Sequence, residues 1–155
     1  LKAEDLKTLG VPFGPLFGKL KNGETVTLED GRVINGKDYI GPAQKGRIVT
    51  ILGDTLKTEN SRLLAQDADV LVHESTFDHS DSQLAKSYNH STNLQAAETA
   101  KEAGAKKLLL THISARYLAK DVQNLQSEAR KVFDSTWVMH DLKEVNIPLE
   151  KEGED

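Results

Sequence analysis

Asp69-Val70-Leu71-Val72-His73-Glu74 is a short, apolar, β-branched run that stops in two ionisable residues. A run of that length, without alternation, is the pattern of a strand buried on both faces of a parallel sheet. Two neighbours share its form. Ile48-Val49-Thr50-Ile51-Leu52 stops in Gly53-Asp54-Thr55, and Lys107-Leu108-Leu109-Leu110 stops in Thr111-His112. Helical patterns lie between and after them. Asn60 or Ser61 can cap a short helix running to about Gln66. Thr92 with Gln95 three residues on is a capping box, and Gly104 can close the helix it opens. Asp121 can cap a further helix with Val122, Leu125, Ala129, Val132 and Phe133 on its apolar face. Strand-like stretches follow at 136–139 and 143–147. Alternating strand and helix predicts an α/β layered domain.

Away from this core the texture changes. Residues 1–46 are dense in Gly and Pro, which predicts turns and short pieces with little material for an independent core. A short helix over 1–10 would stop at Gly10. Glu29-Asp30-Gly31 sits between Thr25-Val26-Thr27-Leu28 and Arg32-Val33-Ile34, a hairpin signal. The division expected is therefore 1–46 as arm and hairpin, 47–150 as the α/β body, and 151–155 as a charged tail.

Composition narrows the chemistry. The chain has 155 residues, enough for one domain with a real core. It has no cysteine, so disulfides and thiolate-bound zinc are excluded and any metal must sit on His, Asp or Glu. Freedom from cysteine fits a cytoplasmic protein. No apolar run is long enough to span a bilayer and no secretory leader is visible, so no membrane partner is expected. The net charge of −4 conceals an asymmetry: residues 1–50 carry eight Lys/Arg against six Asp/Glu, and residues 51–155 carry twelve against eighteen. A mildly basic segment suits a polyanion, although so small an excess also arises by chance. The chain opens on Leu1, as a fragment, a processed product or the ordered part of something longer would.

The strand ends carry the candidate chemistry. In open α/β sheets ligands gather outside the carboxyl ends of strands. If the three strands run in one direction, Asp54, Glu74 and His112 project at one rim, and His90 stands just before the helix opened by Thr92. Each has a plainer reading. Asp54 suits an Asx-turn, His112 a turn histidine, His90 a residue before a cap, and Glu74 a solvated strand end. Together they also suit metal chemistry: a carboxylate able to bridge two ions, an imidazole ligand, and a histidine oriented by a carboxylate. His73, next to Glu74, faces the other way on strict alternation and reads as packing or as a support behind a ligand. His79 lies in a polar loop with Asp78 and Asp81, and His140, after Trp137-Val138-Met139, reads as structural.

Four motifs in order resemble the ribonuclease Z family, of metallo-β-lactamase fold: Gly53-Asp54-Thr55; Ala68 to Phe77 with His73-Glu74-Ser75-Thr76-Phe77; His90-Ser91-Thr92; and Thr111-His112-Ile113-Ser114-Ala115-Arg116-Tyr117. The resemblance implies an α/β fold, half of a metallo-β-lactamase αββα sandwich, with a protruding N-terminal arm. It implies a zinc-dependent endoribonuclease that removes the 3′ trailer from precursor transfer RNA by metal-assisted phosphodiester hydrolysis. Asp54 would bridge two Zn2+ ions and His112 would be a terminal ligand. His90 would give a proton to the departing 3′ oxygen, with Glu74 supporting it. Residues 10–21 look like the family's flexible arm, which places Gly14, Pro15, Lys19 and Lys21 on RNA. Arg116 is a candidate phosphate contact or structural anchor, since a guanidinium fits phosphate geometry.

The family's His-x-His-x-Asp-His motif is absent from the sequence. Two zincs want about four ligands each, more than Asp54 and His112 supply. The expected partners are therefore precursor transfer RNA, an N-terminal half carrying that motif, and a second copy in a homodimer. Unpaired, the fragment would be inactive and would expose an apolar face. The alternatives are another phosphodiesterase of this fold and a non-catalytic RNA-binding or oligomerisation module.

Overall fold

The computed structural model describes residues 1–41 and 45–149; the charged tail expected at 151–155 lies outside them. The chain divides into two compact units, Leu1–Lys45 and Gly46–Asp155.

The second unit is a four-stranded sheet, parallel throughout, with its strands side by side in chain order. Its strands are β3 (Val49–Ile51), β4 (Val70–Glu74), β5 (Leu108–Thr111) and β6 (Thr136–Val138). Helices α3 (Glu59–Leu64), α5 (Asn93–Glu102) and α6 (Ala119–Val132) make the crossovers, and a short α4 (Ser82–Ser87) lies in the loop after β4. Leu71, Leu108, Leu110 and Val138 pack against Ala96, Ala97, Ala100 and Ala129 of α5 and α6. Eight of the twelve buried residues in this cluster are alanine, so the helices can lie close on the sheet and on each other.

The other face of the sheet is different. Thr50 pairs in register with Leu71, which faces the helices, so Val49 and Ile51 point to the opposite side. They are 47% and 71% exposed. Nearer β6, this side is lined by Leu109, Trp137 and Met139, with residues 143–146 beside them.

Three local expectations change. The first crossover helix is capped by Thr58, not by Asn60 or Ser61: Thr58 is extended and its hydroxyl accepts from the Ser61 N–H. Asp121 is not the cap of α6 but sits one turn inside, its carboxylate reaching back to the Leu118 N–H at 2.9 Å. Residues 143–147 form no strand. The carbonyls of Asn146 and Ile147 are taken by the side chains of Lys107 and Arg47 instead of a ladder. Thr92, by contrast, forms the expected capping box with Gln95.

The first unit holds α1 (Ala3–Thr8), α2 (Pro15–Lys21) and the antiparallel pair β1 (Thr25–Thr27) and β2 (Val33–Asn35). Gly10 ends the first turn of chain with φ of 77°, which only glycine adopts freely. The expectation that this segment lacks a core of its own is corrected: Leu6, Val11, Phe17, Leu20, Val26, Leu28 and Ile34 bury together. Each short element contributes one or two of them. Leu6 and Leu20 are fully buried, a contribution of about 1.5–3 kcal/mol each. Gly36 lets the backbone pass closely, since a Cβ there would stand 2.5 Å from the Leu20 carbonyl oxygen.

Candidate functional site

Because β3, β4 and β5 run in one direction, their carboxyl ends share a rim. Asp54 leaves β3, Glu74 ends β4, His112 follows β5, and His90 precedes the N-cap of α5. All four meet there. Single ligand atoms of Asp54, His90 and His112 lie within 4.8 Å of one another. Asp54 Oδ2 is 3.5 Å from His112 Nε2, and both side chains are about half exposed.

Glu74 is what gathers them. Its side chain is 1% exposed and accepts five hydrogen bonds. Oε1 accepts from Thr55 N–H at 3.1 Å, Ser91 N–H at 3.0 Å and His90 Nδ1 at 2.9 Å. Oε2 accepts from the Thr76 N–H at 2.9 Å and the Thr76 hydroxyl at 2.8 Å. The loop bearing Asp54 is further tied to the His90 loop by Ser91 Oγ donating to the Thr55 carbonyl at 2.6 Å. Burial pushes the Glu74 carboxyl up, but the hydrogen bonds from Thr76, His90 and Ser91 outweigh it and hold the group below its usual value. Glu74 is therefore an anion that can only accept.

His112 adopts φ of 56°, a left-handed conformation that costs a non-glycine residue about 1–3 kcal/mol. Its ring is held by Thr76 Oγ1, 2.7 Å from Nδ1, and the next turn by Ser114 N–H donating to the Thr76 carbonyl at 3.1 Å. The His90 and His112 rings stack at 5.4 Å. His73 points into the helix layer, fully buried, with Nδ1–H donating to the Glu74 carbonyl at 2.7 Å. Burial lowers its pKa, so it stays neutral and away from the rim.

Arg116 lies at the edge of this arrangement. Its guanidinium sits 5.1 Å over the Phe77 ring and 3.9 Å from Asp81, with the side chain 46% exposed. Next to it, Tyr117 OH donates to Asp81 and accepts from the Asp78 N–H at 2.8 Å. Burial and that bond to Asp81 push the phenol up to about 12. Gly14, Pro15, Lys19 and Lys21 belong to the first unit. Pro15 is the first residue of α2, Phe17 and Leu20 anchor the helix, and both lysines are exposed. Residues 15–21 are thus folded helix rather than extended chain.

Sequence reasoning missed Thr76 as a functional group. Its position two residues beyond Glu74 was the available signal, since alternation puts i and i+2 on one side.

No family model matches the chain. Ribonuclease Z of Ligilactobacillus salivarius is 59% identical over 155 residues, all of this chain and 49% of that protein. Ribonuclease Z of Streptococcus agalactiae is 58% identical over 147 residues, and that of Streptococcus pyogenes 56% over the same length; each match covers 95% of this chain and 48% of the relative. The chain belongs to the ribonuclease Z family. It spans about half the length of the curated relatives it matches. Among solved structures, human tRNase Z, short form, matches with a TM-score of 0.52 and 31% identity, over 75% of this chain and 37% of that one. The metallo-beta-lactamase fold protein YhfI from Bacillus subtilis matches with a TM-score of 0.50 and 33% identity, over 58% and 35%. The parallel sheet with its covering helices is accordingly one part of a metallo-β-lactamase fold.

The residues of this chain fit a metal in part. Two ligands bonded at about 2.0–2.1 Å to one tetrahedral ion stand roughly 3.3 Å apart. The 3.5 Å between Asp54 Oδ2 and His112 Nε2 is close to such an edge. Among the described residues, these atoms and His90 are the only group of three or more His, Cys, Asp or Glu so placed, too few for two ions.

Proposed function

We propose that this chain is the C-terminal half of a zinc-dependent endoribonuclease that removes the 3′ trailer from precursor transfer RNA. The observation that carries the reading is the convergence of Asp54, His90 and His112 around Glu74 in a chain 59% identical to a ribonuclease Z. Asp54 and His112 would hold zinc, Asp54 as the bridge between two ions and His112 as terminal ligand to one. Bound there, zinc supplies Lewis-acid polarisation of the phosphoryl oxygen. The remaining ligands come from residues outside this chain, on the segment expected to carry His-x-His-x-Asp-His. The exposed Val49 and Ile51 suit a sheet face that such a segment covers.

His90 serves as general acid. Its Nδ1–H is spent on Glu74, which leaves Nε2 to carry the proton for the leaving group. As an oxygen from water bonds to phosphorus, losing its proton to solvent, the bond from phosphorus to the 3′ oxygen breaks; that 3′ oxygen takes the His90 proton and leaves as a free 3′ hydroxyl, while the trailer keeps the 5′ phosphate. Such proton transfer is worth about 10²–10⁴-fold. Lys19 and Lys21, behind the turn at Gly14 and Pro15, bind the body of the RNA as an arm. Arg116, half exposed, is available to a phosphate. The complete enzyme is taken as a cytoplasmic homodimer.

The deciding experiment uses the complete enzyme and a precursor transfer RNA. His90→Ala should slow cleavage by at least 10²-fold with zinc content unchanged. Lost zinc would make His90 a ligand instead. A zinc-loaded wild-type protein that binds the precursor and never cuts it would replace the nuclease by a binding module.

A further inference from the structure

We propose that the Thr76 hydroxyl is a positioning residue that fixes His112 in the tautomer protonated at Nδ1, turning its Nε2 lone pair toward Asp54. The inference follows from the direction of hydrogen bonds around one oxygen. Thr76 Oγ1 touches three groups: Glu74 Oε2 at 2.8 Å, His112 Nδ1 at 2.7 Å and His90 Nδ1 at 3.2 Å. A hydroxyl has one proton and two lone pairs. Glu74 is an acceptor only, so the proton of Thr76 goes to Oε2. Its lone pairs are left for the imidazole nitrogens: the His90 Nδ1–H already goes to Glu74 Oε1, while His112 Nδ1, at 2.7 Å, has Thr76 Oγ1 as its acceptor. His112 Nδ1 therefore carries a hydrogen.

The two histidines depend on this hydroxyl unequally. His90 Nδ1 also has Glu74 Oε1 at 2.9 Å, a shorter and charge-assisted partner. Its tautomer is set by the carboxylate with or without Thr76. No other partner of His112 Nδ1 is present among the described residues, and its side chain is half exposed. Thr76 is the partner of that nitrogen. Glu74 thus acts on His90 directly and on His112 through one intervening oxygen. Where the ring is also to serve as a metal ligand, an outer hydrogen bond of this kind typically alters affinity by about 10–100-fold.

The ligand role of Nε2 rests on the proposed nuclease site; the tautomer does not. The test uses the complete, metal-stripped protein with 15N-labelled histidine, read by long-range proton–nitrogen correlation. Wild type should show His112 and His90 both protonated on Nδ1. Thr76→Val should release His112 to a mixture or to the Nε2–H form while leaving His90 unchanged, and Thr76→Ser should restore the wild-type pattern. His112 protonated on Nε2 in the wild type, or unmoved in Thr76→Val, overturns the proposal. Should Thr76→Val not fold, Thr76→Ala, which also removes the hydroxyl, is read in its place with the same expected and overturning outcomes. A titration of the same proteins with Zn2+ should show affinity about 10–100-fold weaker in Thr76→Val and recovered in Thr76→Ser. Equal affinity in all three would overturn the positioning role. Absence of RNA cleavage, with these tautomers intact, would count against the nuclease reading alone.

Discussion

Asp54 Oδ2 and His112 Nε2 stand 3.5 Å apart at the carboxyl ends of two strands that are not neighbours, β3 and β5. The strand between them, β4, supplies Glu74, which ties the loop after β3 through the Thr55 N–H and the loop after β5 through Thr76. A ligand pair from separate strands is thereby held through one carboxylate on the strand between them. Asp54→Ala and His112→Ala should each lower the zinc content of the complete enzyme, which metal analysis after dialysis measures. Asp54→Ala should cost more, since a bridge serves two ions. Full zinc occupancy in Asp54→Ala would remove it from the bridge.

Glu74→Gln tests the organising role of that carboxylate. An amide cannot accept at both ends, so at least one of the donors from Thr55, Ser91, His90 and Thr76 loses its partner. Hydrogen bonds to charged groups contribute about 1.5–3 kcal/mol each, so a stability loss of that order is expected in denaturant unfolding. Cleavage should fall together with stability, because His90 loses the anion that orients it. The acid limb has a defined sign. The Glu74 carboxyl titrates below its ordinary 4.5 in the folded state, so its stabilisation is present above 4.5 and is lost as pH falls through the lowered value. The variant should lack that part of the acid loss. An acid profile superimposable on wild type would show that Glu74 is not the group responsible.

How much of this was legible beforehand follows from what each feature depends on. The three strand runs and their polar stops were readable because a strand buried on both faces must be continuously apolar. With them came the rim holding Asp54, Glu74 and His112. The Thr92 box was readable because it is wholly local. The cap is Thr58 and not Asn60 or Ser61 because the extended backbone at Thr58 decides, and residue type alone does not show that. The core of the first unit was hidden because Leu6, Phe17, Leu20, Val26 and Ile34 come from separate short pieces and show no period. Residues 143–147 alternate like a strand, but pairing is not a property of one segment. Thr76 stands in a motif that gives it no role by itself, since only the three-dimensional meeting of Glu74, His90 and His112 gives its hydroxyl work.

His73 predicts a second pH dependence. Burial lowers its folded-state pKa below 6.5, so the unfolded chain takes up a proton first. Stability should therefore fall as pH drops below 6.5 toward about 5, the range in which histidine charges. His73→Gln keeps a polar side chain without titration and should flatten that slope, compared by urea midpoints across the range. A slope equal to wild type would place the dependence on other groups.

Lys19 and Lys21 allow the arm to be tested without unfolding it. The helix that carries them is anchored by Phe17 and Leu20, 8% and 0% exposed, while the lysines are exposed and take no part in that core. Replacing both by Ala should thus leave thermal stability nearly unchanged. If each meets a phosphate, binding of precursor transfer RNA should weaken and the slope of log affinity against log salt should become shallower by about one unit per lysine. Hydrolysis of a small phosphodiester by the complete enzyme should be unaffected, because that substrate does not reach beyond the metal site. An unaltered salt slope would show that these lysines do not touch the RNA backbone. Equal losses on both substrates would mean that the change acts through the site and not through the arm.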